Sequence, residues 1–116
     1  MLNVHSEAEM YQAALNACIL AASEGFPHLT IAEIIRPPHR VFDAAMARQV
    51  VIHMMVTEMC WPKRRVAETE QRSREAVNRA IRTIDERLKS LKFENHYRTI
   101  SARASELLAS RIREAA

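Results

Sequence analysis

The sequence contains little of what β-rich proteins require. It has one glycine in 116 residues, and only 5% of its residues are aromatic. Hairpin turns favour glycine, and strands favour β-branched and aromatic side chains, so this composition argues against a β-rich fold. The common residues are Ala, Leu, Ile, Met, Glu and Arg, most of which favour helices. The sequence therefore predicts an all-α protein, in the form of a compact helical bundle, and its length suits one hydrophobic core.

Features of exported, membrane and disulfide-bonded proteins are also missing. Cys18 and Cys60 show no CxxC spacing and lie in apolar runs, so we expect two buried free thiols. The apolar stretch near 50–56 is interrupted by His53 and is too short to cross a bilayer. The start of the chain lacks the basic and apolar regions of a signal peptide. These absences predict a cytoplasmic protein that does not bind a membrane.

Nothing in the sequence indicates catalysis. The five histidines are scattered, and neither an HExxH motif nor a Gly-rich phosphate loop is present. His53 lies within an apolar segment and is expected to be a hydrogen-bonded core residue rather than a general base. We therefore expect no enzymatic activity, no catalytic residue, no cofactor and no metal site.

Charge is distributed unevenly along the chain. Residues 1–59 have three Arg and six acidic residues, whereas residues 60–92 have ten Lys or Arg and five acidic residues. A basic segment beside an acidic one is typical of proteins that bind polyanions, although a solvated helix face can also be basic.

Capping signals and proline divide the chain into helices. Ser6 with Glu9 and Thr30 with Glu33 each match the capping-box pattern, and Gly25 suggests a left-handed helix end. Pro37 ends a short second helix. Apolar periodicity and these signals predict the other helices at about 7–24, 41–59, 62–70, 73–91 and 95–114.

The segment 63–82 predicts a helix-turn-helix. Its small or apolar residues Ala67, Val77 and Ala80 suit the contact between two short helices. The second helix has an exposed face that is mainly cationic in its first two turns, as expected of a helix that enters a DNA groove. The candidate DNA-binding residues are Arg40, Lys63, Arg64, Arg65, Arg72, Ser73, Arg74, Glu75, Asn78, Arg79 and Arg82.

Different roles suit different members of this set. Arg74, Arg79 and Arg82 have the donors to read guanine, and Asn78 has the amide to read adenine. The basic run at 63–65 begins a helix and suits phosphate contacts.

Two residues have alternative interpretations. Ser73 is either a helix N-cap, which we favour, or a phosphate contact. Glu75 either accepts a hydrogen bond from cytosine or pairs with Arg79.

Three segments resemble the C-terminal DNA-binding domain (domain IV) of the bacterial replication initiator DnaA, a Trp-repressor-like helical domain. They are the capped helix 29–35 before a basic loop, the run 47–54, which is similar to the Ala-Arg-Gln start of that family's central helix, and the run 72–77 with the helix ending at 84–88. Arg72 and Val77 match the family's Arg-Asp-His-Thr-Thr-Val signature, whereas the residues between them differ. Glu70-Gln71 replaces a turn rich in glycine.

The resemblance implies a function in duplex DNA binding, with Arg40 entering a minor groove. We expect a transcriptional regulator rather than an initiator ATPase, with a DNA-binding domain at 1–92 and a C-terminal helical extension at 93–116. That extension either folds back on the core or forms a homodimer. The alternative function is an all-α protein-protein interaction module that does not bind DNA.

Overall fold

The computed structural model describes residues 2–115, and all regular secondary structure in this range is helical. This confirms the predicted all-α class. Six α-helices follow one another in the order α1 (Glu7–Gly25), α2 (Ile31–Ile35), α3 (Phe42–His53), α4 (Lys63–Thr69), α5 (Arg74–Arg87) and α6 (Leu91–Ala115).

Local capping explains where the first two helices begin. The side chain of Ser6 accepts a hydrogen bond from the backbone N–H of Glu9. The carboxylate of Glu9 bonds the backbone N–H of Asn3 instead of that of Ser6, so only half of the first predicted capping box forms. The second forms completely, because Thr30 and Glu33 each bond the other's backbone N–H. Paired caps of this kind fix a helix start from sequence-local chemistry.

Gly25 has a different role from the one that its position suggests. It is the last residue of α1, and the helix ends at Phe26 without any left-handed glycine, so the predicted left-handed cap is wrong. A Cβ atom at position 25 would lie 2.5 Å from Cγ1 and Cδ1 of Ile100 in α6. The glycine is therefore explained by close packing of two helices rather than by a turn.

The central helix departs from the predicted single α-helix at its C-terminal end. After His53 the chain forms a π-helical turn, Met54–Glu58. Within this turn the hydroxyl of Thr57 donates to the backbone carbonyl of His53 over 2.7 Å. A side chain that bonds the carbonyl four residues earlier competes with the regular helix ladder, which is consistent with the widened turn. Cys60 then has a positive φ of 61°, and the chain reverses into α4.

The boundary between the last two helices lies earlier than predicted. Helix α5 ends at Arg87, and α6 begins at Leu91 after a tight turn. The backbone carbonyl and the hydroxyl of Ser90 accept the first hydrogen bonds of α6, from Glu94 and Phe93 respectively. Serine is a favoured residue at a helix N-cap, so the sequence contains the start signal of α6.

Helix α6 packs along α1 and belongs to the same hydrophobic core as the other helices. Tyr97, Ile100 and Ala104 of α6 are buried in that core, and Leu107 and Leu108 are partly buried against it. Of the two arrangements considered for this helix, the structure has the one that folds back. One contiguous core thus fixes all six helices relative to one another.

A buried histidine joins three helices. His53 of α3 contacts the hydroxyl of Tyr97 in α6 at 2.5 Å through Nδ1, and the carboxylate of Asp85 in α5 at 2.7 Å through Nε2. Its buried, hydrogen-bonded position confirms the prediction of a core residue. Because Asp85 lies near the C-terminal end of α5, this contact fixes that end of the helix against α3.

Two further expectations concern the cysteines and the membrane. Both cysteines are free thiols, as predicted, but only Cys18 is buried. Cys60 has a left-handed backbone conformation after the π-helical turn and lies outside the packed face of the helix, so it is exposed.

None of the helices between residues 2 and 115 combines the length and the hydrophobicity that crossing a bilayer demands.

Candidate nucleic-acid interface

Helices α4 and α5 are joined by a tight turn, and they pack through small and β-branched side chains. Val66 and Ala67 of α4 and Val77 and Ala80 of α5 are all buried. Ala67 also accepts a hydrogen bond from the backbone N–H of Arg72 through its carbonyl, over 2.9 Å. The small residues allow the two short helices to approach closely, as the sequence pattern predicted.

The start of α5 is fixed by two features of the turn. Gln71 has a positive φ of 54°, which lets the chain reverse within two residues. Ser73 is the N-cap of α5, and its hydroxyl accepts the backbone N–H of Ala76 over 3.0 Å. The favoured interpretation of Ser73 as a cap is therefore confirmed.

A buried ion pair lies beneath this turn. The guanidinium of Arg48 in α3 pairs with the carboxylate of Glu70, and each side chain is only 7% exposed. Tyr11 of α1 donates its hydroxyl to the other oxygen of Glu70 over 3.3 Å. Partial burial of the Arg72 guanidinium, followed by repulsion from Arg48, lowers the pKa of this otherwise exposed residue, and Glu70 opposes the shift. The turn is thus attached to α1 and α3 by charged groups that are largely removed from water.

The predicted base-reading cations of α5 differ in their partners. Arg74 and Arg79 are exposed, and within residues 2–115 neither has a carboxylate within the 4.0 Å that defines an ion pair. Arg82 is also exposed but pairs with Glu75 over 3.0 Å. Two arginines of this face are therefore available to a polyanion without first breaking an ion pair.

Glu75 and Asn78 of α5 do not have the hydrogen-bond partners or orientation that the sequence predicts. Glu75 pairs with Arg82, two turns further along α5, rather than with Arg79. The amide oxygen of Asn78 is buried and has no hydrogen-bond partner among the described residues. A bidentate contact with adenine needs both amide atoms, so the observed side-chain orientation of Asn78 does not offer that contact.

The three basic residues at the start of α4 also differ in their partners. Lys63 and Arg64 are exposed, and Arg64 lies 3.9 Å from Glu68 in a pair one helical turn apart. Arg65 instead lies over the rings of Tyr11 and Trp61, at 5.2 and 6.0 Å, and also pairs with Glu7. Cation–π contacts and partial burial give Arg65 a structural role in addition to any contact with phosphate.

A groove of about 410 Å³ brings residues from three parts of the chain together. It lies between the 37–42 loop, α3 and the first half of α5, and Arg40, Arg48, Arg72 and Arg79 all line it. Its other lining residues within the described chain are Pro37, Pro38, His39, Val41, Phe42, Ala45, Gln49, Ile52, Ala76 and Ala80, so no carboxylate faces this groove there. Arg48 is compensated by Glu70, whereas Arg40, Arg72 and Arg79 have no ion-pair partner within residues 2–115, so these three arginines make the lining cationic.

The loop that forms one wall of the groove has a constrained backbone. Pro37 and Pro38 restrict the chain before it turns, and Arg40 has a positive φ of 71°. The backbone N–H of Val41 then donates to the carbonyl of Pro38 over 3.2 Å, which closes the turn into α3. Arg40 is exposed at the tip of this turn, at the same groove as Arg79 of α5.

Sequence reasoning missed two residues of this groove. In the sequence Arg48 stands out only through the resemblance, yet its side chain forms part of the groove wall and its Nε is buried without a partner among the described residues. Phe42 begins α3 and is 84% exposed at the same groove. At about 100° per residue, Phe42 lies opposite the buried residues Ala44, Ala47 and Val51, so a helical projection would have revealed its exposure.

The described residues form no cluster of three or more His, Cys, Asp or Glu side chains that would hold a metal ion. Comparisons of this chain with models of protein families, with curated proteins and with solved structures gave no match. The function is therefore argued from the groove and from the charges around it.

Proposed function

We propose that this protein binds duplex DNA, with α4 and α5 acting as a helix-turn-helix and α5 entering the major groove. The single observation that supports this most strongly is the groove lined by Arg40, Arg72 and Arg79, whose described lining residues include no carboxylate. Most of the affinity of such proteins comes from cations that neutralise phosphates and release counterions. A groove with this charge, next to an exposed helix, suits one sugar-phosphate strand of a duplex.

Each part of the candidate interface then has a distinct task. Arg74 and Arg79 project from the exposed face of α5 and contact base edges, while Lys63 and Arg64 contact phosphate from the start of α4. Arg72 lines the groove beside α5 and contacts the strand that crosses it. Arg82 joins the interface only when its pair with Glu75 opens. The resemblance to DnaA domain IV supports this orientation, and the altered residues between Arg72 and Val77 imply a different target sequence.

Transcriptional regulation is the role that we propose for this binding. Regulators of this kind often bind DNA as two-fold dimers. The first part of the apolar stripe of α6 packs on α1, and Leu107, Leu108 and Ile112 remain partly exposed at its C-terminal end. These three residues are the surface that a second copy would cover in a homodimer formed through α6.

Fluorescence anisotropy with labelled duplexes, selected by the full-length protein from a random pool, tests the proposal. Replacing both Arg74 and Arg79 by alanine is expected to weaken binding at least about ten-fold, since one bidentate base contact contributes about 1–3 kcal/mol. The matched control replaces Arg111 and Arg113, two exposed arginines of α6, and thus removes the same net charge. Binding should also weaken steeply as salt increases.

The result that contradicts the proposal is equally clear. If both double variants bind as the parent does, or lose the same affinity, α5 is not a recognition helix. If the unaltered protein shows no salt-sensitive affinity for any selected duplex and instead co-purifies tightly with another protein, the interaction-module alternative is correct.

A further inference from the structure

An aromatic side chain stands exposed at the rim of the cationic groove. Phe42 is 84% exposed, the largest exposure among the large apolar residues that the structure describes as exposed. This exposure leaves apolar ring area in water, and covering that area with a partner would be favourable. A partner that covers Phe42 in this basic surrounding needs both an apolar face and negative charge.

The backbone that carries Phe42 is held in place by the start of α3 and by the turn before it. Phe42 is the first residue of α3, directly after the turn that Pro38 and Val41 close. The neighbouring Asp43, the acidic group nearest to it along the chain, pairs with His28 over 2.8 Å and is drawn toward α1 and its following loop. The side chain of Phe42 is thus presented from a helix start whose backbone is fixed, rather than from the tip of a mobile loop.

Nucleic acid has the chemistry that this surface fits. The groove next to Phe42 contains Arg40, Arg72 and Arg79 as uncompensated cations, whereas an apolar protein surface or a second copy of this basic groove would bring no negative charge to them. Bases offer flat apolar faces next to phosphates, and proteins that combine cations with an aromatic side chain use this arrangement to stack on or separate bases. Charge complementarity therefore favours DNA as the partner of Phe42.

The geometry also gives the side of the duplex that Phe42 meets. If α5 occupies the major groove and one sugar-phosphate strand crosses the cationic groove, the 37–42 loop lies on the far side of that strand. The next groove of the duplex on that side is the minor groove. Arg40 and Phe42 would then face it together, one with a cation and the other with an apolar wedge.

We propose that Phe42 inserts as an apolar wedge between base pairs from the minor-groove side, and so makes the protein select sites with easily unstacked steps. This inference rests on the proposed DNA-binding function. Pyrimidine–purine steps such as TA and CA unstack at low cost, so a wedge favours them without any hydrogen bond to a base. Phe42 is thus a specificity residue that acts through deformability.

The test uses the full chain and duplexes of about 24 base pairs, slightly more than two helical turns. Each carries 2-aminopurine in place of adenine at one TA step, because the fluorescence of this base rises when it unstacks. Its position is moved along the duplex in separate samples. Binding of the parent protein should raise the fluorescence at one step beside the selected site, and anisotropy gives the affinity of the same samples.

Phe42→Ala is expected to lose the fluorescence rise and to bind about ten-fold more weakly, in line with the worth of one aromatic–base contact. Phe42→Trp should retain both. Leu91→Ala is the matched control, because Leu91 is also an exposed apolar residue, at 71%, and begins α6 away from the groove. Circular dichroism confirms that each variant is folded.

The outcomes separate this inference from the function on which it rests. If Phe42→Ala keeps the affinity and the fluorescence rise while the double variant at Arg74 and Arg79 loses binding, the wedge is wrong and DNA binding stands. If Phe42→Ala instead changes the sedimentation of a self-associating parent protein, a second copy covers the residue and the wedge is also wrong. Absence of any DNA binding by the parent protein overturns both proposals.

Discussion

Arg48 and Glu70 form a buried ion pair that joins the middle of α3 to the end of α4. The pair lies directly beneath the turn that orients α5, and Tyr11 connects it to α1. The orientation of the proposed recognition helix therefore depends on two charges in a largely dry surrounding. Such a pair is costly to break because either partner alone remains as an uncompensated charge.

Glu70→Ala should lower the free energy of unfolding by about 3–5 kcal/mol, because Arg48 loses its buried counterion. The repulsion between Arg48 and Arg72 would then also be unopposed. Urea denaturation followed by circular dichroism measures the change. The control replaces both Arg48 and Glu70 by methionine and should be closer to the parent than Glu70→Ala is. A double variant that is less stable than the single one would contradict the role of the pair.

Gln71→Gly should stabilise the protein by about 1 kcal/mol, because a left-handed conformation costs a residue with a Cβ roughly that amount and glycine almost nothing. The φ of Gln71 is 54°, in the left-handed region. Thermal and urea unfolding both report this difference. Thr69→Gly is the control, since Thr69 is the last residue of α4, where glycine has no such advantage and should destabilise. Loss of stability in Gln71→Gly would show that its side chain has a function in the turn.

Gly25→Ala should destabilise the protein by about 1–3 kcal/mol, the usual result of adding a methyl group to a packed core. This steric cost outweighs the higher helix propensity of alanine, because the new atom would lie 2.5 Å from two carbons of Ile100. Calorimetry of Gly25→Ala, Ile100→Ala and the double variant completes a mutant cycle. The two changes should compensate in part, and strictly additive effects would show that α1 and α6 have room to separate.

The free energy of unfolding should fall as the pH rises above about 9. Burial raises the pKa of Tyr11 and of Tyr97 above the ordinary value of 10.0, and it raises the pKa of Cys18 from 9.0 to about 12. In this range the native state keeps protons that the unfolded chain has released, so stability is lost with increasing pH. Each fully titrating group contributes a slope of about 1.4 kcal/mol per pH unit.

Denaturant titrations at a series of alkaline pH values measure this slope. Tyr97→Phe removes one titrating group and should make the slope shallower by that group's share, whatever its effect on stability at neutral pH. The parent and Tyr97→Phe showing the same slope would contradict the assignment to Tyr97.

Features that depend on neighbours in the sequence were predicted well. The capping box of Thr30 and Glu33, the cap of Ser73 and the stop at Pro37 involve residues within a turn of one another, so the chemistry is visible in the sequence itself. The buried stripe of α5 follows from helical periodicity, and Val77 and Ile84 are fully buried as it requires.

Features that depend on distant residues were not predictable in this way. Glu70 pairs with Arg48 across 22 positions, and neither residue has a local pattern that indicates burial. Gly25 is explained by Ile100, which belongs to another helix. The π-helical turn after His53 follows from a combination of tertiary packing and a side-chain bond from Thr57 that periodicity does not encode.

In the candidate interface, too, some features follow from the local sequence and others depend on distant residues. That Arg74 and Arg79 are exposed follows from the position of the buried stripe. The partner of Glu75, the inward amide oxygen of Asn78 and the position of Phe42 at the same groove as Arg79 all depend on rotamers and on tertiary contacts. Sequence thus indicates which face carries charge, and the structure shows which charges are free.

The hydrogen bond between His53 and Asp85 has a consequence for how the protein would adjust to a partner. Helix α5 is held against α3 at its far end by this bond and at its near end by the turn above Arg48. A pivot of α5 alone would strain both attachments, so α3 and α5 behave as one stiff block. Because the loop around Arg40 is itself closed by the hydrogen bond between Val41 and Pro38, both walls of the groove would meet a duplex as one preformed surface, and the duplex would have to change shape to fit it.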